Sequence, residues 1–160
     1  MVKYKFNNEV SKFLDDLKSL GGLQIETLTP IEARKLSLME MPIPEVELVV
    51  EIGADGPFGP IPIYNYTPLN APKDKPLPTI VYFHGGGWVQ GDLETHDGLC
   101  SHLALASGAM VVALDYRLAP ENKFPAAVED CFSCFQWLST EGRTIGADPK
   151  RVAIGGDSAG

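Results

Sequence analysis

Gly156-Asp157-Ser158-Ala159-Gly160 is a G-x-S-x-G pentapeptide, and it offers this sequence's clearest chance of chemistry. Small residues two before and two after a serine let the backbone pass through a cramped strand-to-helix turn, which leaves the hydroxyl projecting as a nucleophile. Such a serine would attack a carbonyl carbon and form a covalent intermediate. Attack places negative charge on the carbonyl oxygen, so the reaction also needs hydrogen-bond donors aimed at that point. His84-Gly85-Gly86-Gly87-Trp88 is the candidate source, because three consecutive glycines free the backbone to turn N–H groups toward one anion. A phosphate-binding reading of these glycines is poor. The dinucleotide fingerprint would require glycine where Gln90 and Asp157 stand, and no G-x-x-x-x-G-K-[ST] occurs.

The remaining reactive side chains have bland explanations. His96 and His102 lie on or beside an expected helix and read as surface or packing histidines. Cys131 and Cys134 form C-x-x-C, but inside a helical pattern and without a second ligand pair, so they read as buried helix cysteines. With Cys100 they make three, an odd number that fits a reducing compartment. Asp157 neighbours Ser158 but should point elsewhere on the turn.

The elements that must position these residues follow from periodicity. Val10, Phe13, Leu14, Leu17 and Leu20 recur at spacings of three and four, predicting a helix that stops at Gly21-Gly22. A second helix opens at Pro30, where Thr29 and Glu32 form a T-x-x-E capping box and Ile31, Leu36, Leu38 and Met39 supply a less regular apolar face. Val46, Leu48, Val50 and Ile52 alternate as a half-buried strand, and residues 53–59 turn the chain into a second strand over 61–66. Pro62 cannot donate to a ladder, so that strand should lie near an edge or against an irregularity. Residues 69–78 form a proline-rich surface connection.

Beyond this the pattern changes. Residues 79–83, 110–114 and 151–154 read as buried strands, separated by helices over 96–107, ended by Gly108, and from Pro125 with a face of Val128, Cys131, Phe132, Phe135 and Leu138. Buried strands alternating with amphipathic helices predict a parallel sheet covered on both faces. The fold class is therefore α/β, an antiparallel hairpin at the edge followed by three parallel strands. Ligands bind at the carboxyl ends of such strands, where both the glycine run and Ser158 fall.

Composition narrows the partners. At 160 residues with 44% hydrophobic content the chain can build a real core, and its net charge of -8 argues against a nucleic-acid surface. No apolar run is long enough to span a bilayer and the N-terminus lacks a signal-peptide core, so the expected location is cytoplasmic.

HGGGW at 84–88, DYRLAPE at 115–121 with FPAA at 124–127, and GDSAG at 156–160 together resemble the hormone-sensitive-lipase-like branch of the α/β-hydrolases, the microbial carboxylesterases and lipases. The resemblance covers nearly the whole chain. It implies hydrolysis of small-molecule carboxylic esters without metal or organic cofactor, residues 1–42 as N-terminal cap helices and residues 43–160 as an incomplete core domain. It makes Ser158 the nucleophile, gives the N–H groups of Gly86, Gly87 and Ala159 to an oxyanion hole, and assigns His84 and Gly85 to support of the glycine loop. Trp88 becomes a possible pocket wall, or else a half-buried packing aromatic. Asp115, Arg117 and Glu121 become a structural charge network near the site.

In this family the triad acid and base follow the serine, so both are expected beyond Gly160. Residues 1–160 alone are then expected to lack turnover and to expose the strand before Ser158 as an apolar, association-prone edge. The rival reading is a non-catalytic small-molecule receptor on the same scaffold, which a downstream histidine would exclude. Oligomeric state, acyl preference and enantioselectivity are left open.

Overall fold

A computed structural model describes residues 7–19, 27–35 and 41–160. Helix α1 (Asn8–Ser19) starts where the Asn7 side chain accepts the Val10 N–H at 2.8 Å, and its Val10 and Phe13 are exposed. The expected Leu20 and Gly21-Gly22 stop lies outside the described residues. Helix α2 (Pro30–Arg34) carries the expected capping box, with Glu32 N–H on Thr29 Oγ1 and the Glu32 carboxylate on the Thr29 N–H at 2.9 Å. Leu36, Leu38 and Met39 also lie outside the described residues.

Strands β1 (Glu47–Gly56) and β2 (Gly59–Thr67) form the expected antiparallel hairpin. Strands β3 (Leu77–Phe83), β4 (Met110–Leu114) and β5 (Ala147–Gly156) are parallel, in the order β1-β2-β4-β3-β5. The edge hairpin and the three parallel strands are as the sequence predicts. Pro62 sits on β2, one strand in from the edge. It is tolerated because the β1 register shifts between Glu51 and Ala54, opposite it, while the Pro62 carbonyl still accepts from Asp115 N–H at 2.9 Å.

Helix α3 (Asp97–Ser107), closed by left-handed Gly108, covers one face over Tyr66, Tyr82, Val111 and Ala113. Helix α4 (Ala126–Glu141) covers the other over Val81, Val112 and Leu114, with its own Leu138 in the same core. The buried face of α4 differs from expectation. Val128 and Phe132 are exposed, whereas Asp130, Cys134 and Leu138 are buried. Apolar spacing pointed to a single face that included Val128 and Phe132, and an ion pair of α4 sets a different one. Asp130 accepts Arg117 Nε at 2.8 Å, Nη2 at 2.8 Å and the Arg117 backbone N–H at 3.0 Å. Phe58, at the tip of the β1–β2 hairpin, stacks its ring 4.4 Å from the same guanidinium.

Arg117→Met should therefore destabilise the fold by about 3 kcal/mol, because it leaves the Asp130 carboxylate buried without its partner. That is the low end for breaking a buried pair, since the Arg117 side chain keeps 27% exposure. Urea unfolding measures it, and a loss under about 1 kcal/mol would show the pair to be peripheral.

Candidate active site

Parallel pairing of β3 with β5 brings Phe83 opposite Gly156, so the two strands release their chains side by side at the carboxyl edge. From Phe83 the chain enters the glycine loop, and from Gly156 it enters the serine turn. Ser158 is exposed and held at φ +50°, a strained conformation for a non-glycine residue, while Gly160 N–H closes the turn onto Asp157 O at 2.8 Å. A Cβ on Gly160 would overlap the Phe83 carbonyl, and one on Gly156 would come within 2.7 Å of it. Both glycines are thus required by close backbone passage.

The Asp157 carboxylate is engaged by the glycine-loop side and binds the two segments together. Oδ1 accepts Gly85 N–H at 2.8 Å and the Tyr82 hydroxyl at 2.8 Å, with His96 Nε2 at 3.4 Å. His96 is half-buried beside Tyr82 and His84, and His102 is exposed, in line with packing and surface roles.

The orientation of the loop follows from its peptide planes, since the C=O and N–H of a trans peptide face opposite ways. The His84 carbonyl accepts from the Tyr116 hydroxyl, leaving Gly85 N–H for Asp157. The Gly85 carbonyl lies 2.7 Å from His84 Nδ1, which must therefore carry the ring proton, so Gly86 N–H faces the other way. The Gly86 carbonyl accepts Val89 N–H at 3.1 Å and Gln90 N–H at 2.9 Å, so Gly87 N–H also turns outward. Among the described residues, none accepts a hydrogen bond from the amides of Gly86, Gly87 or Ala159. Gly86, Gly87 and Trp88 all have positive φ, at 118°, 61° and 60°.

Trp88 is 54% exposed and lines an apolar cavity of about 360 Å³ with Gly87, Ala119, Phe124, Pro125 and Val128. Its position beside Gly87 is that of a wall next to the glycine loop. The residues of DYRLAPE do not form one network. Arg117 pairs with Asp130 and Glu121 with Arg34 of α2, both outside the motif, while burial raises the Asp115 carboxyl above its ordinary value. Arg34 and Tyr82 carried no signal in the sequence, and Tyr116 none beyond its place in DYRLAPE, because their partners are distant in the chain.

The Cys131 and Cys134 thiols are free and pushed up to about 12 by burial, the opposite of a reactive redox pair. Among the described residues, no cluster of three or more His, Cys, Asp and Glu side chains could hold a metal ion, and no helix is long and apolar enough to cross a membrane.

Burial pushes His84 below its ordinary 6.5, keeping it neutral and stacked on Tyr116 at 4.2 Å. Below 6.5 the unfolded chain then binds more protons at this site than the folded one, so stability is lost as pH falls through that value. A second loss belongs to carboxylates held below their ordinary values, led by Glu121, at about 2 beside Arg34, and joined by Glu32 and Asp148. Their contribution is present above about 4.5 and fades as pH falls toward 2. Thermal melts from pH 8 to pH 3 should show two declines, and His84→Gln should remove the upper one. A flat profile between pH 7 and pH 5 would count against a buried neutral imidazole.

A family model described as the α/β hydrolase fold matches residues 80–160. The chain is 47% identical over 134 residues to the esterase LipI of Mycobacterium tuberculosis, covering 81% of this chain and 42% of LipI. It is 44% identical over 122 residues to the carboxylic ester hydrolase LipN of the same organism, covering 75% and 32%. Among solved structures it is similar to the ester hydrolase EH1AB1 from the metagenome of Lake Arreo, with TM-score 0.87, 39% identity, and 98% and 52% of the two chains covered. It is also similar to an esterase from Pyrobaculum calidifontis, with TM-score 0.80, 37% identity, and 98% and 51% covered. The chain thus spans about half the length of these structures.

Proposed function

We propose that this chain, which belongs to the α/β-hydrolase family, carries the nucleophile and the oxyanion-binding groups of a carboxylic ester hydrolase of the hormone-sensitive-lipase-like branch. One observation carries the reading. Asp157 ties the glycine loop to the serine turn at the shared strand edge, the amides of Gly86, Gly87 and Ala159 are uncommitted among the described residues, and Ser158 is exposed.

In this reading Ser158 Oγ attacks the ester carbonyl, and the three amides receive the developing oxyanion. Collapse of the tetrahedral adduct breaks the ester C–O bond to leave an acyl-enzyme, and the base that follows the serine passes the Ser158 proton to the departing alcohol. His84 and Gly85 hold the loop, and Trp88 walls an apolar cavity that takes a hydrocarbon portion of the substrate. Residues 1–42 belong to a cap and residues 43–160 to the core domain, and the triad acid and base come from sequence that follows the serine. No metal or organic cofactor enters the chemistry. The free cysteines fit a reducing compartment, the cytoplasm.

The test is covalent labelling. A protein joining these residues to the acid and base that follow the serine in α/β-hydrolases should react with a fluorophosphonate probe, and peptide mass mapping should place the adduct on Ser158. An adduct on any other residue, or none, would remove Ser158 from the mechanism.

A further inference from the structure

Helix α2 reaches the glycine loop through the Arg34 side chain. Arg34 Nε donates to the Val89 carbonyl at 2.7 Å and Nη2 donates to the Ala119 carbonyl at 2.8 Å. Its other edge grips Glu121 in a two-pronged pair, Nη1 to Oε1 at 2.9 Å and Nη2 to Oε2 at 2.7 Å. Val89 lies on the return path of the loop, and Ala119, on the segment after β4, braces that path by donating its N–H to the Trp88 carbonyl at 2.8 Å.

The bonds form a continuous relay. Arg34 Nε holds the carbonyl of the Val89–Gln90 peptide, and the N–H of that same peptide donates to the Gly86 carbonyl. The Gly86–Gly87 peptide presents its own N–H on the opposite side. A cation at one end fixes the planes of two successive peptides and, by polarising each bond in turn, strengthens the last donor. We infer that Arg34 is a positioning residue for the Gly87 amide, so that the N-terminal α2 segment sets the geometry of oxyanion binding from outside the site. The catalytic half of this inference rests on the ester-hydrolase reading; the structural half does not.

The planar fork is essential to it. Lysine offers three donors from one point and cannot span a carboxylate and two carbonyls that diverge from it. Glu121 orients the fork, and the Arg34 side chain keeps only 30% exposure.

The experiment compares Arg34→Ala, Arg34→Lys and Glu121→Gln in a protein that joins these residues to the triad acid and base. In Arg34→Ala, kcat for a p-nitrophenyl ester should fall on the order of 10²-fold, as for other small misplacements of catalytic groups, with KM nearly unchanged. The affinity of a trifluoromethyl ketone, a mimic of the tetrahedral oxyanion, should fall in step. Arg34→Lys should recover little, millimolar methylguanidinium added to Arg34→Ala should recover more, and Glu121→Gln should lie between Arg34→Ala and the parent. A purely structural role would lower the melting temperature while sparing kcat, and that result overturns the inference.

Amide hydrogen exchange gives a readout free of activity. Exchange at Gln90 should be at least about tenfold faster in Arg34→Ala, with Val112 in the core unchanged. If Gln90 exchange is unaltered the relay does not exist, whether or not the protein proves to hydrolyse esters. Accelerated exchange in a protein that the fluorophosphonate fails to label would uphold the relay and defeat only the ester-hydrolase reading.

Discussion

Ser158→Ala is expected to lower kcat/KM for a p-nitrophenyl ester on the order of 10⁶-fold, as loss of the serine does in other triad hydrolases, and to abolish the fluorophosphonate adduct. The size follows from what remains. On the proposed roles, loss of Ser158 leaves the amides of Gly86, Gly87 and Ala159 to bind an oxyanion, but only water to attack. The fold should survive, because Ser158 is exposed and alanine meets the same cost at φ +50° as serine does. A melting temperature within a few degrees of the parent separates this outcome from simple unfolding. Substantial turnover in a folded variant would mean that another group performs the attack, and the reading of the serine turn would be wrong.

The features that made this site readable were local ones. Met110 to Leu114 is an unbroken apolar run and forms β4 with the same bounds, and T-x-x-E at Thr29 and Glu32 forms the expected capping box. Glycines at 156 and 160 announced a tight turn because nothing with a Cβ can pass Phe83 so closely. What periodicity could not supply was the choice among distant partners. Val128 and Phe132 have the spacing of a buried face yet stay exposed, because Asp130 had to reach Arg117 and turned α4 accordingly. Asp157 could be excluded as a triad acid by its place on the turn, but its role as a tie to Gly85, 72 positions away, depends on strand pairing that no local pattern encodes. Arg34 is the extreme case. A lone arginine at the end of a five-residue helix looks like surface charge until the fold brings Glu121 to it.

These long-range ties share one logic. The glycine loop needs freedom to place its amides, and that freedom would be a liability if nothing restored order. Asp157 fixes its first peptide, His84 the second, the Val89 and Gln90 amides the third, and Arg34 with Ala119 N–H its return. The amides left over are the ones whose opposite carbonyls are held. Preorganisation of this kind matters because donors already aimed at an oxyanion need not reorient when charge appears.

Gly86→Ala should strike at this arrangement more severely than any other single added methyl group in the loop. Gly86 has φ +118°, a region that alanine strongly avoids, and its added Cβ would overlap the Gln90 carbonyl. The overlap is with backbone, so no side chain can swing aside to relieve it. The loop would have to open between Gly86 and Gln90, which breaks the Gln90 N–H bond to the Gly86 carbonyl and rotates the peptide that presents the Gly87 amide. Losing one oxyanion donor typically costs 10²–10³ in kcat, and a displaced donor is equivalent to a missing one, so kcat should fall about 10²–10³-fold with KM changed far less. Gly87→Ala supplies the contrast. Its Cβ would meet nothing within 4 Å and its φ of +61° lies in the left-handed region, so the cost should be about 1–2 kcal/mol of stability with a much smaller loss of turnover. Steady-state kinetics and urea unfolding on the two variants decide the matter. Equal losses of kcat would mean that the packing of Gly86 against Gln90 does not control the amides, and the account of the loop given by its peptide planes would fail.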